Sequence, residues 1–112
     1  NHILKNIKNY KLQNKVNPSI SFFGLSYKPD VGDLRESPAK YIVEEFIKQK
    51  FDISIVEPNV KDYSNLKLTS LNEAISKSDI LCILVKHKEF SKLKNLNFPK
   101  NKILLDYCGL FD

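Results

Sequence analysis

The stretch GLSYKPDVGDLRES, residues 24–37, decides how the chain is read: an apolar segment ends at its first residue and a helix begins at its last. Before it, Ser19-Ile20-Ser21-Phe22-Phe23 is short, apolar and rich in strand formers, and Gly24 closes it, which predicts a buried strand. After it, Ser37 followed by Pro38 is a helix N-cap with proline at the first helical position. In an open α/β sheet, ligands bind beyond the carboxyl ends of the strands, where helix N-termini offer unpaired amide donors. Lys28 and Arg35 lie in that loop, where an anion would bind. The plainer alternative is that both are solvated loop charges paired with Asp30, Asp33 or Glu36.

Working outward, Ala39, Ile42, Val43, Phe46 and Ile47 form an apolar stripe at helical spacing. Residues 51–57 then alternate around Ile53 and Ile55 and stop at Pro58-Asn59, a second strand joined to the first through a helix. Residues 65–69 read as a short extended piece leading to Ser70, whose spacing to Glu73 is a capping box for a helix through Ser78. Ile80-Leu81-Cys82-Ile83-Leu84-Val85 is unbroken and apolar, as expected of a strand covered on both faces in a parallel sheet. One more helix is predicted over residues 87–93 and a last strand over residues 102–106. Upstream, Ile3, Leu4, Ile7 and Tyr10 predict an amphipathic helix ended by Asn17-Pro18. The alternation implies a single α/β domain, a Rossmann-like parallel sheet flanked by helices in three layers.

The 112 residues suit one core rather than two. A net charge of +5 favours anionic partners, but the 18 basic residues are spread along the chain with acids between them, so nucleic-acid binding is not expected. Cys82 and Cys108 have no CxxC or histidine spacing, which argues against zinc or a disulfide framework and for a reducing, cytoplasmic setting. Apolar runs are too short to span a membrane and no signal peptide is evident. The start at Asn1 suggests a fragment of something larger.

Gly24 is followed by Leu25, Ser26, Tyr27 and Lys28, so the GxGxxG fingerprint is absent and phosphate contacts must come from side chains, with Tyr27 able to stack on or hydrogen-bond a base or sugar. Glu57 stands where dinucleotide folds hold ribose with an acid, yet an acid before Pro58 reads first as turn chemistry. Cys82 reads as structural; Cys108 lacks a nearby histidine to activate it. His87, flanked by lysines, reads as a surface or capping residue. Nothing assembles a nucleophile, base and oxyanion site, so the chain reads as a binder.

As a whole, GLSYKPDVGDLRESPA resembles the C-terminal UDP-binding domain of the UDP-glucose/GDP-mannose dehydrogenase family, whose members carry Gly-x-x-[Tyr/Phe]-Lys followed by Asp-x-Arg-Glu-Ser. Ile55-Val56-Glu57-Pro58-Asn59-Val60 resembles that family's strand-end (I/V)-x-D-P-x-V, with glutamate for aspartate. The resemblance implies a UDP-sugar-binding domain over residues 18–112, and a helical connection from a missing middle domain over residues 1–17. By position, Tyr27 and Lys28 would contact the UDP-sugar, and Arg35 would reach toward NAD bound mainly by another domain. Gly24, Asp33, Glu36 and Ser37 would shape the loop. The whole enzymes oxidise a sugar C6 alcohol to a carboxylate in two NAD-dependent steps through a middle-domain cysteine, and commonly form homo-oligomers. Neither that cysteine motif nor the N-terminal GxGxxG is in this chain, so it is not expected to be catalytic alone. Residues 84–90, LVKHKEF, look most like the UDP-N-acetylmannosamine branch, with UDP-N-acetylglucosamine and UDP-glucose as alternatives. Where relatives often place a cation after the last strand, Asp106-Tyr107-Cys108-Gly109 has a thiol. The competing reading is a stand-alone α/β module that senses a nucleotide or binds a protein partner without catalysis.

Overall fold

A computed structural model describes residues 2–26, 37–59, 68–95 and 102–110. Four parallel strands, β1 (Ile20–Phe23), β2 (Ile53–Val56), β3 (Ile80–Ile83) and β4 (Ile103–Asp106), form one sheet in the order β2-β1-β3-β4. The central strands β1 and β3 are buried along their whole length, which is why they read as continuous apolar runs.

Alternating side chains build two cores. Ile20 and Phe22 of β1 and Ile80 and Cys82 of β3 face α1 (His2–Asn14) and α2 (Pro38–Lys48), meeting Ile3, Ile7, Val43 and Phe46. Phe23, Leu81 and Ile83 face the other way, toward Ala74 of α3 (Leu71–Lys77) and toward Phe90 and Leu93 of a 3-10 helix, Lys88–Asn95. Helices on both sides of a parallel sheet give the expected three layers. Ring contacts hold each layer: Phe22 meets Phe46 with centroids 5.4 Å apart, and Phe23 meets Phe90 edge-on at 5.5 Å. Ser21 shares the α3 side and hydrogen-bonds the Ser78 hydroxyl, so a polar residue in a central strand is satisfied.

The helix ends follow their cap chemistry. Ser37 Oγ accepts from Lys40 N at 3.3 Å with Pro38 opening α2, and Ser70 Oγ accepts from Glu73 N at 3.3 Å. Lys15 adopts φ 61° and stops α1. Two expectations need correction. The segment at residues 87–93 is a 3-10 helix that begins at Lys88 and leaves His87 outside it, and the β3 strand pairs only to Ile83. Of the extended piece at residues 65–69, residues 65–67 lie outside the described residues; Thr69 N donates to Ile55 O at 2.7 Å.

Registers place Phe23 beside Val56 and Ile83, and Ile83 beside Asp106, so all the strands end level. Gly24, Glu57 and Leu84 therefore start their loops at one edge of the sheet. The N-terminus of α2 opens at the same edge through Ser37, whose hydroxyl reaches Leu25.

Candidate functional site

At this edge the chain leaves β1 along a short, fully bonded path. Gly24 N donates to Val56 O at 2.9 Å, while Phe23 O accepts from Leu84 N at 2.9 Å and Val85 N at 3.3 Å. Gly24 then turns at φ +104°, where a Cβ would sit 2.6 Å from Val85 Cβ.

The next two amides point at one carboxylate. Leu25 N and Ser26 N donate to Glu57 Oε1 at 2.7 and 3.1 Å. His87 Nε2 lies 2.9 Å from the same oxygen, and Asn59 N donates to Oε2 at 2.9 Å. Asn59 Nδ2 lies 3.2 Å from His87 Nδ1; oriented so, the amide can only donate, which places the ring proton on Nε2, facing Glu57. Glu57 is 3% exposed and His87 0%. Burial by itself would raise the Glu57 pKa, but the hydrogen bond from His87 and those from the Leu25 and Asn59 amides outweigh it and hold the carboxyl below its ordinary value.

Ser37 ties the far end of the loop to its beginning. Its hydroxyl donates to Leu25 O at 2.5 Å while accepting from Lys40 N. Leu25 is thus held at its N–H by Glu57, at its C=O by Ser37, and by a fully buried side chain. The two described ends of this segment, Leu25-Ser26 and Ser37, are thus fixed to each other beside the N-terminus of α2.

Of the residues singled out in the sequence, Gly24 and Ser37 form that base, whereas Tyr27, Lys28, Asp33, Arg35 and Glu36 lie outside the described residues. His87 is corrected from a surface or capping residue to a buried one: Lys86 and Lys88 are exposed while the histidine between them turns inward to Glu57. Glu57 does perform turn chemistry through Asn59 N, but its larger role is to take up the first-turn amides of the β1 loop. Those amides are therefore engaged, and Glu57 is itself buried. Neither the first-turn amides nor Glu57 is therefore available to the pyrophosphate or ribose of a dinucleotide such as NAD.

After β4, Asp106 Oδ1 accepts from Cys108 N at 3.3 Å and Leu110 N at 3.0 Å, closing a tight turn. Burial pushes the Cys82 thiol up to about 12. Burial and the Asp106 carboxylate raise Cys108 as well. Both are free thiols. With iodoacetamide at pH 7.5, Cys108 should alkylate more slowly than free cysteine and Cys82 only on unfolding, as read by mass spectrometry of intact and denatured protein. Rapid labelling of Cys108 would mean that burial and the Asp106 carboxylate do not hold its thiol protonated. The described residues contain no group of three or more histidine, cysteine or acidic side chains able to hold a metal, and no helix long and apolar enough to cross a membrane.

The profile of the UDP binding domain of the UDP-glucose/GDP-mannose dehydrogenase family matches residues 21–112. The chain belongs to this family. It is 36% identical over 106 residues to UDP-N-acetyl-D-mannosamine dehydrogenase of Methanococcus aeolicus, a match covering 89% of this chain and 24% of that protein. Likewise it is 37% identical over 103 residues to the Campylobacter jejuni enzyme of the same name (85% and 25%). It is also 34% identical over 99 residues to NDP-N-acetyl-D-galactosaminuronic acid dehydrogenase of Ralstonia nicotianae (84% and 23%). The chain thus spans about a quarter of the length of the curated relatives it matches. Among solved structures, a ternary complex of GDP-mannose dehydrogenase from Pseudomonas aeruginosa superposes with a TM-score of 0.71 at 25% identity, covering 96% of this chain and 30% of that one. UDP-D-ManNAc dehydrogenase from Pyrococcus horikoshii gives 0.70 at 23% identity (99% and 27%), a likeness of fold.

Proposed function

We propose that this chain is the UDP-sugar-binding C-terminal part of an NAD-dependent nucleotide-sugar 6-dehydrogenase, with UDP-N-acetylmannosamine as the favoured substrate. Residues 18–112 form the binding domain and residues 1–17 the connection from a middle domain. Tyr27 and Lys28 contact the UDP-sugar and Arg35 reaches toward the cofactor, while Gly24, Asp33, Glu36 and Ser37 shape the loop. The observation that carries this reading is the fixed base of the loop: Leu25 pinned between Glu57 and Ser37, at the strand-end edge, in a chain matched to a UDP binding domain. Because the first-turn amides are engaged by Glu57, anion contacts fall to side chains, which suits Lys28 as the point charge on a diphosphate. The same engagement supports NAD being held by another domain, where it would accept the hydride; this chain supplies substrate positioning and is not catalytic alone. The whole enzyme is a cytoplasmic homo-oligomer.

Titrating this chain with UDP, UDP-N-acetylmannosamine and NAD, with the amides of Leu25, Ser26 and Ser37 followed by NMR, tests the reading. Uridine nucleotides should shift these amides with a Kd on the order of millimolar, since one loop and a helix terminus supply only about 4 kcal/mol. NAD alone should leave them in place. Lys28→Ala should weaken UDP binding by about tenfold, the loss of one charge-assisted contact worth about 1.5 kcal/mol. Unchanged affinity in that variant, or equal shifts with NAD, would count against the assignment.

A further inference from the structure

We propose that Glu57 and His87 are positioning residues of the uridine-nucleotide site: they fix the backbone of Leu25 and Ser26, the residues that immediately precede Tyr27 and Lys28 in the sequence. This rests on the assignment of the β1 loop to the UDP-sugar. The carboxylate of Glu57 stands to the first-turn amides as a bound phosphate stands to a dinucleotide loop. It is an internal anion that accepts from Leu25 N and Ser26 N at 2.7 and 3.1 Å. The loop is therefore ordered at its base by the protein's own charge, and the ligand's charge is left to the side chains further along.

His87 completes the arrangement from β3's extension. Its Nε2 faces the same Oε1 at 2.9 Å, its Nδ1 faces Asn59 Nδ2 at 3.2 Å, and Ser26 Oγ lies 3.2 Å from Nε2. The ring packs on Phe90 with centroids 5.3 Å apart, and Phe90 N donates to His87 O at 3.0 Å, so the imidazole has little freedom to turn. Three strand ends thus meet at one carboxylate: β1 through two amides, β2 through Glu57 itself, β3 through His87. A buried carboxylate and imidazole are weak devices for stability, since an apolar pair of similar volume is often as good. What they supply here is direction at the place where backbone leaves the sheet.

The test uses UDP itself as probe on residues 1–112, with Kd from NMR titration. His87→Leu and Glu57→Gln should each raise Kd about tenfold, the loss of one or two directed hydrogen bonds. The glutamine keeps an oxygen for Leu25, Ser26 and His87 but turns an NH2 toward the Asn59 N–H, donor against donor. In both variants the Leu25 and Ser26 amide shifts should move in the absence of ligand. His87→Gln, which can still donate to Glu57, should recover affinity to within about threefold of wild type. Ile7→Ala, a core truncation on α1 with no part in these hydrogen bonds, should lower Tm without changing Kd. Wild-type Kd in both His87→Leu and Glu57→Gln overturns the proposal while leaving the nucleotide assignment intact. An equal loss of affinity in Ile7→Ala overturns it too, because the effect is then one of stability. Absence of any saturable UDP shift in the wild type removes the nucleotide assignment and the proposal with it. Two variants on different strands keep the reading independent of either one's folding.

Discussion

Replacing Glu57 with leucine is expected to lower the stability of the chain by about 3–5 kcal/mol, because it leaves several buried donors without an acceptor at about 1–3 kcal/mol each. The leucine would leave Leu25 N, Ser26 N, Asn59 N and His87 Nε2 facing an apolar group that accepts nothing. Against the roughly 5–15 kcal/mol that holds a domain of this size, such a loss approaches unfolding. Urea denaturation followed by circular dichroism would measure it, and a loss below about 1 kcal/mol would mean that solvent reaches the site and replaces the carboxylate. The same carboxylate sets a pH dependence. Its folded pKa lies below the ordinary value of 4.5, so it stabilises the folded state fully above that value, and the contribution fades as pH falls through the folded pKa. Wild-type stability should therefore fall below about pH 4.5, and its margin over Glu57→Gln should shrink in the same window.

That much of the architecture could be read from residue order has a plain cause. The runs at residues 19–23 and 80–85 are apolar on both faces because β1 and β3 are covered on both faces, and Ser37-Pro38 and Ser70 carry cap chemistry that operates within a few residues. The site was legible only in part. Gly24 and Ser37 stand out in the sequence because they belong to a dense local motif; the Glu57–His87 contact joins positions 30 residues apart, and no local rule brings them together. A signal for His87 did exist. Val85 and His87 are buried while Lys86 and Lys88 are exposed, a period-two continuation of the strand direction beyond its last pair. The flanking lysines masked it, because a charged neighbourhood reads as surface when only composition is weighed. The 3-10 form of residues 88–95 was equally hidden, since KEFSKLKN places Phe90 and Leu93 three apart, a spacing that serves either helix type.

Gly24→Ala is the second change with a large expected effect, about 3–5 kcal/mol from backbone strain and overpacking combined. Gly24 sits at φ +104°, a conformation that L residues rarely adopt. The added Cβ would also lie 2.6 Å from Val85 Cβ, 2.9 Å from its Cγ2 and 3.0 Å from its backbone nitrogen. Only Cγ2 can swing away: the nitrogen donates to Phe23 O at 3.3 Å, and Val85 Cβ is fixed to the backbone that carries His87 toward Glu57. Trimming the neighbour should therefore fail as a rescue. In Gly24→Ala/Val85→Ala the Cγ2 contact is gone but both Cβ atoms and the φ remain, so the double variant should stay within about 1 kcal/mol of the single one. Thermal unfolding by circular dichroism would read the single substitution as a fall of roughly 12–40 °C, taking 4–8 °C per kcal/mol for a domain near this length. Restoration by Val85→Ala would place the cost in side-chain crowding. Its failure would place the cost in the turn itself, and so in the requirement that the chain leave β1 in the one direction that brings Leu25 N and Ser26 N onto the Glu57 carboxylate.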